Sequence, residues 1–253
     1  MQAKARLEDT LELMRDLRAR CDWDAAQTHQ SLRPYLIEEA HEVDDAIRLQ
    51  SDGMLRDELG DLLLQVLFHS VIAEERGAFD MFDVAAALIA KMKKRHPHLY
   101  SEGPAVPWER QKARARDSLA DGLPIDLPAL HRSHRLQDRA AGVGFDWDDV
   151  EGPLAKVREE VDEVTAELAA AAADAPGAQD ALEGELGDLL FAVVNLCRKA
   201  NVHAAVALER ANLKFVGRFT ALELLAKERG VDVGTASLAE LDVLWDDIKR
   251  GGG

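Results

Sequence analysis

Residues 55–71 read LRDELGDLLLQVLFHSV, and residues 182–196 read LEGELGDLLFAVVNL. In the first stretch Leu55, Leu59, Leu62, Leu63, Val66 and Leu67 recur at three- and four-residue intervals. Leu182, Leu186, Leu189, Leu190 and Val193 do the same in the second. That period places the apolar side chains on one stripe of an α-helix, which must bury against a partner. Glu58-Leu59-Gly60-Asp61-Leu62-Leu63 returns as Glu185-Leu186-Gly187-Asp188-Leu189-Leu190. A repeat of this kind bounds the architecture before any other feature does.

The repeat extends outward from these helices. Glu38-Glu39-Ala40-His41-Glu42 answers to Glu159-Glu160-Val161-Asp162-Glu163, and Cys21-Asp22-Trp23-Asp24 to Phe145-Asp146-Trp147-Asp148. Lys91 and Arg95 match Lys214 and Arg218, and Trp108 and Lys112 match Trp245 and Lys249. Further helices are expected over roughly residues 5–19, 34–49, 81–95, 107–118, 128–141, 154–172, 204–229 and 238–249. Strand-type alternation is nearly absent, and aromatic residues make up only 5% of the chain. The fold class is therefore all-α, as two tandem helical-bundle units. Five of the eight prolines fall between residues 97 and 128. They suggest an N-terminal unit over 1–100, a linker with a short helix over 101–130 and a C-terminal unit over 131–253. A longer inter-helix loop is expected in the second unit, over 169–180.

Charge and cysteine content narrow the function classes. The 253-residue chain carries 47 acidic and 31 basic residues, a formal net charge of −16. Non-specific nucleic-acid binding needs a basic surface, so it is disfavoured. A locally basic belt over 91–139 reads as a solvated inter-domain face complementing acidic helices. Two cysteines, Cys21 and Cys197, are too few for a disulfide framework, which fits a reducing cytoplasm. No apolar run is long enough to span a bilayer, and the first residues carry no secretory h-region. No Gly-x-x-x-x-Gly-Lys-Ser/Thr loop occurs.

Helix spacing gathers acids. Residues three and four apart share a face, so Glu39 projects with Glu42 and Glu58 with Asp61. Glu160 with Glu163, and Glu185 with Asp188, repeat the arrangement. Two such helices side by side bring four carboxylates toward one point, where they repel unless a cation lies among them. An all-oxygen donor set suits a hard metal, Mg²⁺ or Mn²⁺. Gly60 and Gly187, mid-helix, each cost about 1 kcal/mol relative to alanine. Close helix approach beside the metal is the expected compensation. Lys91 with Arg95, and Lys214 with Arg218, place cations on one helical face, as binding of a metal-bridged polyphosphate requires. Trp245 with Lys249, and Trp108 with Lys112, offer an aromatic face beside a further cation. His41 reads as a surface or pocket-rim residue, and His96 and His98, flanking Pro97, as capping or turn residues.

The paired EExxE and ExxD helices, Lys-Arg-His-Pro-His (Lys94 to His98), Val-Gly-Phe-Asp-Trp (Val143 to Trp147) and the tandem layout resemble the MazG family. Those proteins are nucleoside triphosphate pyrophosphohydrolases of the all-α NTP-pyrophosphatase superfamily. The resemblance covers essentially the whole chain. It implies Mg²⁺-dependent hydrolysis of an NTP to NMP and pyrophosphate by a homodimer. It further implies metal ligation by Glu160, Glu163, Glu185 and Asp188, with Glu159 orienting or deprotonating the attacking water. Lys156, Lys214 and Arg218 would hold phosphates, and Trp245 and Lys249 would close over the nucleotide. The first unit carries the corresponding Glu39, Glu42, Glu58 and Asp61. It has Tyr35 in place of Lys156 and Phe68 in place of Asn195, so the second unit is expected to be the catalytic one. The rival readings are a nucleotide-binding sensor or scaffold with little turnover, and a di-metal oxidase bundle. The second lacks the histidines it needs.

Overall fold

The computed structural model describes residues 5–101, 118–173 and 175–251. Trp108, Lys112 and nearly all of the helix expected over 107–118 lie outside the described residues. Every regular element among those residues is helical. The chain divides into two compact units, Met1–Ala105 and Val106–Gly253.

The first unit contains α1 (Leu7–Arg20), α2 (Asp22–Ala26), α3 (Arg33–Arg48), α4 (Asp52–Glu75), α5 (Met81–Arg95) and α6 (Pro97–Tyr100). Ser51 starts α4: its Oγ accepts the Met54 N–H at 3.3 Å, satisfying one of the free donors of the first turn. Helix α3 folds back on α4, and α1 lies across α4. Leu11 and Met14 of α1 meet Leu67, Phe68, Val71 and Ile72 of α4 in the core, with Leu32 between them. The guanidinium of Arg18 ties three segments together. It forks onto the Glu75 carboxylate and donates to the carbonyls of Asp24 and Gln27 at 2.6 and 2.9 Å. With its donors satisfied, this largely buried charge stabilises the corner.

The second unit contains α7 (Ala129–Gly142), α8 (Glu151–Ala172), α9 (Ala178–Lys199), α10 (Ala204–Glu228) and α11 (Leu238–Arg250). Helices α8 and α9 form a long hairpin, α7 packs on α9, and α10 contacts α7, α9 and α11. Leu222, Ala226 and Leu244 close α10 onto α11. A capping box starts α11: Ser237 Oγ accepts the Glu240 N–H, and the Glu240 carboxylate accepts the Ser237 N–H.

Two differences from the sequence expectations have simple causes. The loop expected over 169–180 is shorter, because α8 runs through Ala172, the end expected for the helix over 154–172. Alanine is the strongest helix former, so the inserted residues lengthen the helix rather than the loop. Helices α2 and α6 have five and four residues, too few for an apolar period to show. No single helix among the described residues is long and apolar enough to cross a membrane.

Candidate active site

Helix spacing and the α8–α9 hairpin together place the acids. Carboxylate oxygens of Glu160, Glu185 and Asp188 lie within 4.8 Å of one another. In the first unit a different trio, Glu39, Glu42 and Glu58, gathers within the same distance on α3 and α4. Glu163 and Asp61 stand outside these trios but act on them electrically. Desolvation and the charges of Glu160 and Glu185 push the Glu163 carboxyl above the usual range, opposed by Lys156. Desolvation, Asp61 and Glu42 raise Glu39, and desolvation, Glu42 and Asp61 raise Glu58. Among the described residues, no cation opposes the shift of Glu39 or Glu58.

One atom tests whether a metal fits. The Glu160 side chain is only 5% exposed, and its Oε1 accepts from Lys156 Nζ at 2.6 Å. Its Oε2 is buried with no hydrogen-bond partner. An orphaned carboxylate oxygen carries a desolvation penalty of about 1–3 kcal/mol or more. A divalent cation among Glu160, Glu185 and Asp188 removes that penalty and the mutual repulsion together. Gly60 and Gly187 do not serve close helix approach, contrary to the sequence expectation. A Cβ at either position meets no atom within 4 Å. These glycines leave the helix surface beside the carboxylates free of side chain.

The basic and aromatic residues fall into two groups. Lys156 belongs to the acids: its Nζ also donates to Glu159 Oε1 at 2.9 Å, and the two glutamates raise its pKa. Glu159 itself is exposed at the edge of the trio. Lys214 and Arg218 lie on α10, Trp245 and Lys249 on α11. Trp245 packs beside the Leu222–Leu244 cluster with its ring 5.5 Å from Phe215. Lys249 Nζ pairs with Asp246 at 2.7 Å. Asn195 is buried on α9, and its Oδ1 accepts from Arg198 Nε at 3.0 Å. In the first unit aromatic side chains stand at the corresponding places. Trp23 meets Tyr35 and Phe68 edge-on, each pair 6.4 Å between ring centres.

The remaining sequence candidates are peripheral. His41 is exposed, as expected. His96 ends α5, with its Nδ1 2.8 Å from the Met92 carbonyl oxygen. Sequence reasoning missed the loop between α7 and α8. There the NH2 group of Arg198 donates to Asp146 Oδ1 at 2.5 Å, and Lys199 reaches Asp146 Oδ2 at 3.3 Å. Burial disfavours the Asp146 charge, yet Arg198 and Lys199 hold its carboxyl below the usual range. Gly152 leaves room for Trp147, since a Cβ at 152 would stand 2.6 Å from the Trp147 Cγ. The repeated Asp-Trp pair and the Val143 to Trp147 motif pointed to this corner in the sequence, but not to its partners Arg198 and Lys199.

A family model described as the MazG nucleotide pyrophosphohydrolase domain matches residues 27–100 and again residues 150–220. The chain belongs to the MazG family. Each MazG match spans one acidic hairpin. A nucleoside triphosphate pyrophosphohydrolase of Escherichia coli K12 is 40% identical over 97% of this chain and 96% of its own length. The nucleoside triphosphate pyrophosphohydrolase/pyrophosphatase MazG of Thermotoga maritima is 40% identical over 96% of each chain. A Mycobacterium tuberculosis nucleoside triphosphate pyrophosphohydrolase is 42% identical over 57% of this chain and 47% of its own length.

Protonation of these MazG carboxylates would compete with the binding of a cation. Glu163, Glu39 and Glu58 carry raised pKa values. In the metal-free fold a raised carboxyl binds more protons than in the unfolded chain. Its contribution to stability therefore falls as pH rises through that range. A bound cation reverses that sign by stabilising the ionised form. The rise in Tm on adding Mg²⁺ is expected to be large at about pH 7.5 and to shrink steadily toward about pH 5. Calorimetry with and without Mg²⁺ checks this, and a shift independent of pH would contradict it.

Proposed function

We propose that the protein is a metal-dependent nucleoside triphosphate pyrophosphohydrolase whose second unit converts NTP and water to NMP and pyrophosphate. The observation that carries the reading is the trio Glu160, Glu185 and Asp188 with Lys156 held against it. In the first unit Tyr35 stands where this lysine would be. Mg²⁺, with Mn²⁺ as a substitute, would be held by Glu160, Glu163, Glu185 and Asp188. When bound, it neutralises phosphate charge and acidifies the attacking water. Glu159, exposed beside the trio, takes the proton of that water. Lys156, which holds Glu159 and Glu160 in this structure, would exchange these partners for a phosphate oxygen. Lys214 and Arg218 neutralise the remaining phosphates, so pyrophosphate is the leaving group. Trp245 covers the nucleotide with Lys249 at its edge, and Asn195 supplies a polar wall.

The same reading makes the protein a cytoplasmic homodimer. Leu190, Val206 and Val216 are each more than half exposed, a large apolar area that a second copy would cover. Glu39, Glu42, Glu58 and Asp61 retain metal binding in the first unit without the phosphate-holding lysine. Purified protein incubated with each common NTP and Mg²⁺ is expected to release NMP and pyrophosphate. A chelator should stop the reaction and Mg²⁺ restore it. Turnover indifferent to chelation, or no turnover at all, would overturn the reading.

A further inference from the structure

A cavity of about 290 Å³ opens in the second unit where α7 meets the turn between α9 and α10. His134 and Asp138 of α7 line it, with Arg198 of α9 and His203 of the turn. His131 lies three residues before His134, so the two imidazoles share a face of α7. Both approach His203: the ring centres of His131 and His134 stand 4.6 and 4.4 Å from its own. His134 Nδ1 and His203 Nδ1 are buried and have no hydrogen-bond partner. Two uncommitted nitrogens beside one cavity are a desolvation cost that a ligand would remove. The first unit shows imidazoles that need no ligand. His29 and His69 stack with their Nδ1 atoms 2.8 Å apart, so each satisfies the other.

We propose that His131, His134 and His203 form a second kind of metal site, for a borderline divalent cation of the Zn²⁺, Co²⁺ or Ni²⁺ class, which pins the start of α10 to α7. Imidazole nitrogen suits these ions, whereas the acidic trios offer oxygen alone and suit a hard ion. The two kinds of site therefore sort cations by donor chemistry. Neutral imidazole is the form that binds a metal. Burial keeps His134 and His203 in it by lowering both pKa values. Arg198, Arg135 and His131 add to the shift of His134, and His134 and His131 to that of His203, with Asp138 opposing in each case. Asp138 also fits the role of an orienting carboxylate. Its Oδ2 faces His134 Nε2 at 3.7 Å, which leaves His134 Nδ1 to bind the ion. The charge of Arg198 in the cavity wall is neutralised by Asp146, which limits its repulsion of a cation. Among the described residues only the two acidic trios already converge within 4.8 Å, so an ion here draws the three rings together. Rings in contact need only turn about their side-chain bonds to reach metal–nitrogen distances of about 2.0–2.1 Å.

The test uses Co²⁺ as the probe, with excess Mg²⁺ present to occupy both acidic trios. The wild-type protein is expected to bind Co²⁺ with the visible absorption bands of a nitrogen-coordinated ion, and Zn²⁺ should displace it and erase the bands. His203→Ala and His134→Gln should each weaken Co²⁺ binding by at least about tenfold, with circular dichroism confirming the fold. His131→Ala, at a half-buried ring, is a further variant should either fail to fold, and it should show the same loss. Glu185→Gln should leave Co²⁺ affinity within about twofold, because it belongs to a separate site. Zn²⁺ should also raise Tm in the wild type and lose that effect in the histidine variants. Co²⁺ that excess Mg²⁺ displaces, or that the folded histidine variants bind as tightly as the wild type, would overturn the proposal. No nucleotide enters the measurement, so its outcome is independent of the pyrophosphohydrolase reading.

Discussion

Glu185→Gln is expected to lower kcat/KM for an NTP by about a thousandfold or more, with helicity unchanged. The substitution keeps shape and removes a charge from the trio of Glu160, Glu185 and Asp188. A metal's stabilisation of phosphate charge amounts to several kcal/mol, and each decade of rate corresponds to about 1.36 kcal/mol. Glu185 is partly exposed, so its neutralisation leaves no new buried charge. Loss of fold is therefore not expected, and circular dichroism checks that point. The same change at Glu58 provides the control. The first unit keeps its acids but has Tyr35 and Phe68 where the second has Lys156 and Asn195. Glu58→Gln is accordingly expected to cost less than about twofold. Equal losses would mean two equivalent sites, and a greater loss from Glu58→Gln would reverse the assignment.

Lys156→Ala should reduce kcat/KM by one to two decades. A lysine gripping phosphate makes charge-assisted hydrogen bonds of about 1.5–3 kcal/mol. The same lysine donates to Glu160 Oε1 in the metal-free protein. Its removal should therefore lower Tm without metal more than with Mg²⁺, where the cation takes over Glu160. Lys156→Arg keeps the charge and should recover part of both losses. Steady-state kinetics with paired melting curves decide the matter. A loss below about twofold, or equal Tm changes with and without Mg²⁺, would remove Lys156 from the phosphate-binding set.

What the sequence disclosed, and what it hid, follows from the range of the interactions. The leucine stripes around Glu58 and Glu185 announce α4 and α9 because helix periodicity is local. The trio forms from two such helices once the repeat has paired α8 with α9. Gly60 and Gly187 were misleading: a mid-helix glycine signals either close packing or open surface, and only the neighbours tell which. The alanines at 169–172 fell in both the helix expected over 154–172 and the loop expected over 169–180, and their propensity decides for the helix. The partners of Gln137 and of the loop between α7 and α8 were illegible for a different reason. Gln137 gains meaning only through the Phe191 carbonyl, 54 residues away, and Asp146 only through Arg198, 52 residues away. Such tertiary hydrogen bonds leave no periodic trace in the chain.

Hydrolysis of an NTP in ¹⁸O-labelled water, with Mg²⁺ present and the products separated for mass analysis, tests the central claim most directly. Attack of water on the α-phosphorus at the Glu160–Glu185–Asp188 site predicts one labelled oxygen in the NMP and unlabelled pyrophosphate. Labelled pyrophosphate with unlabelled NMP would place the attack on the β-phosphorus. Formation of NDP with labelled free phosphate would contradict the account altogether.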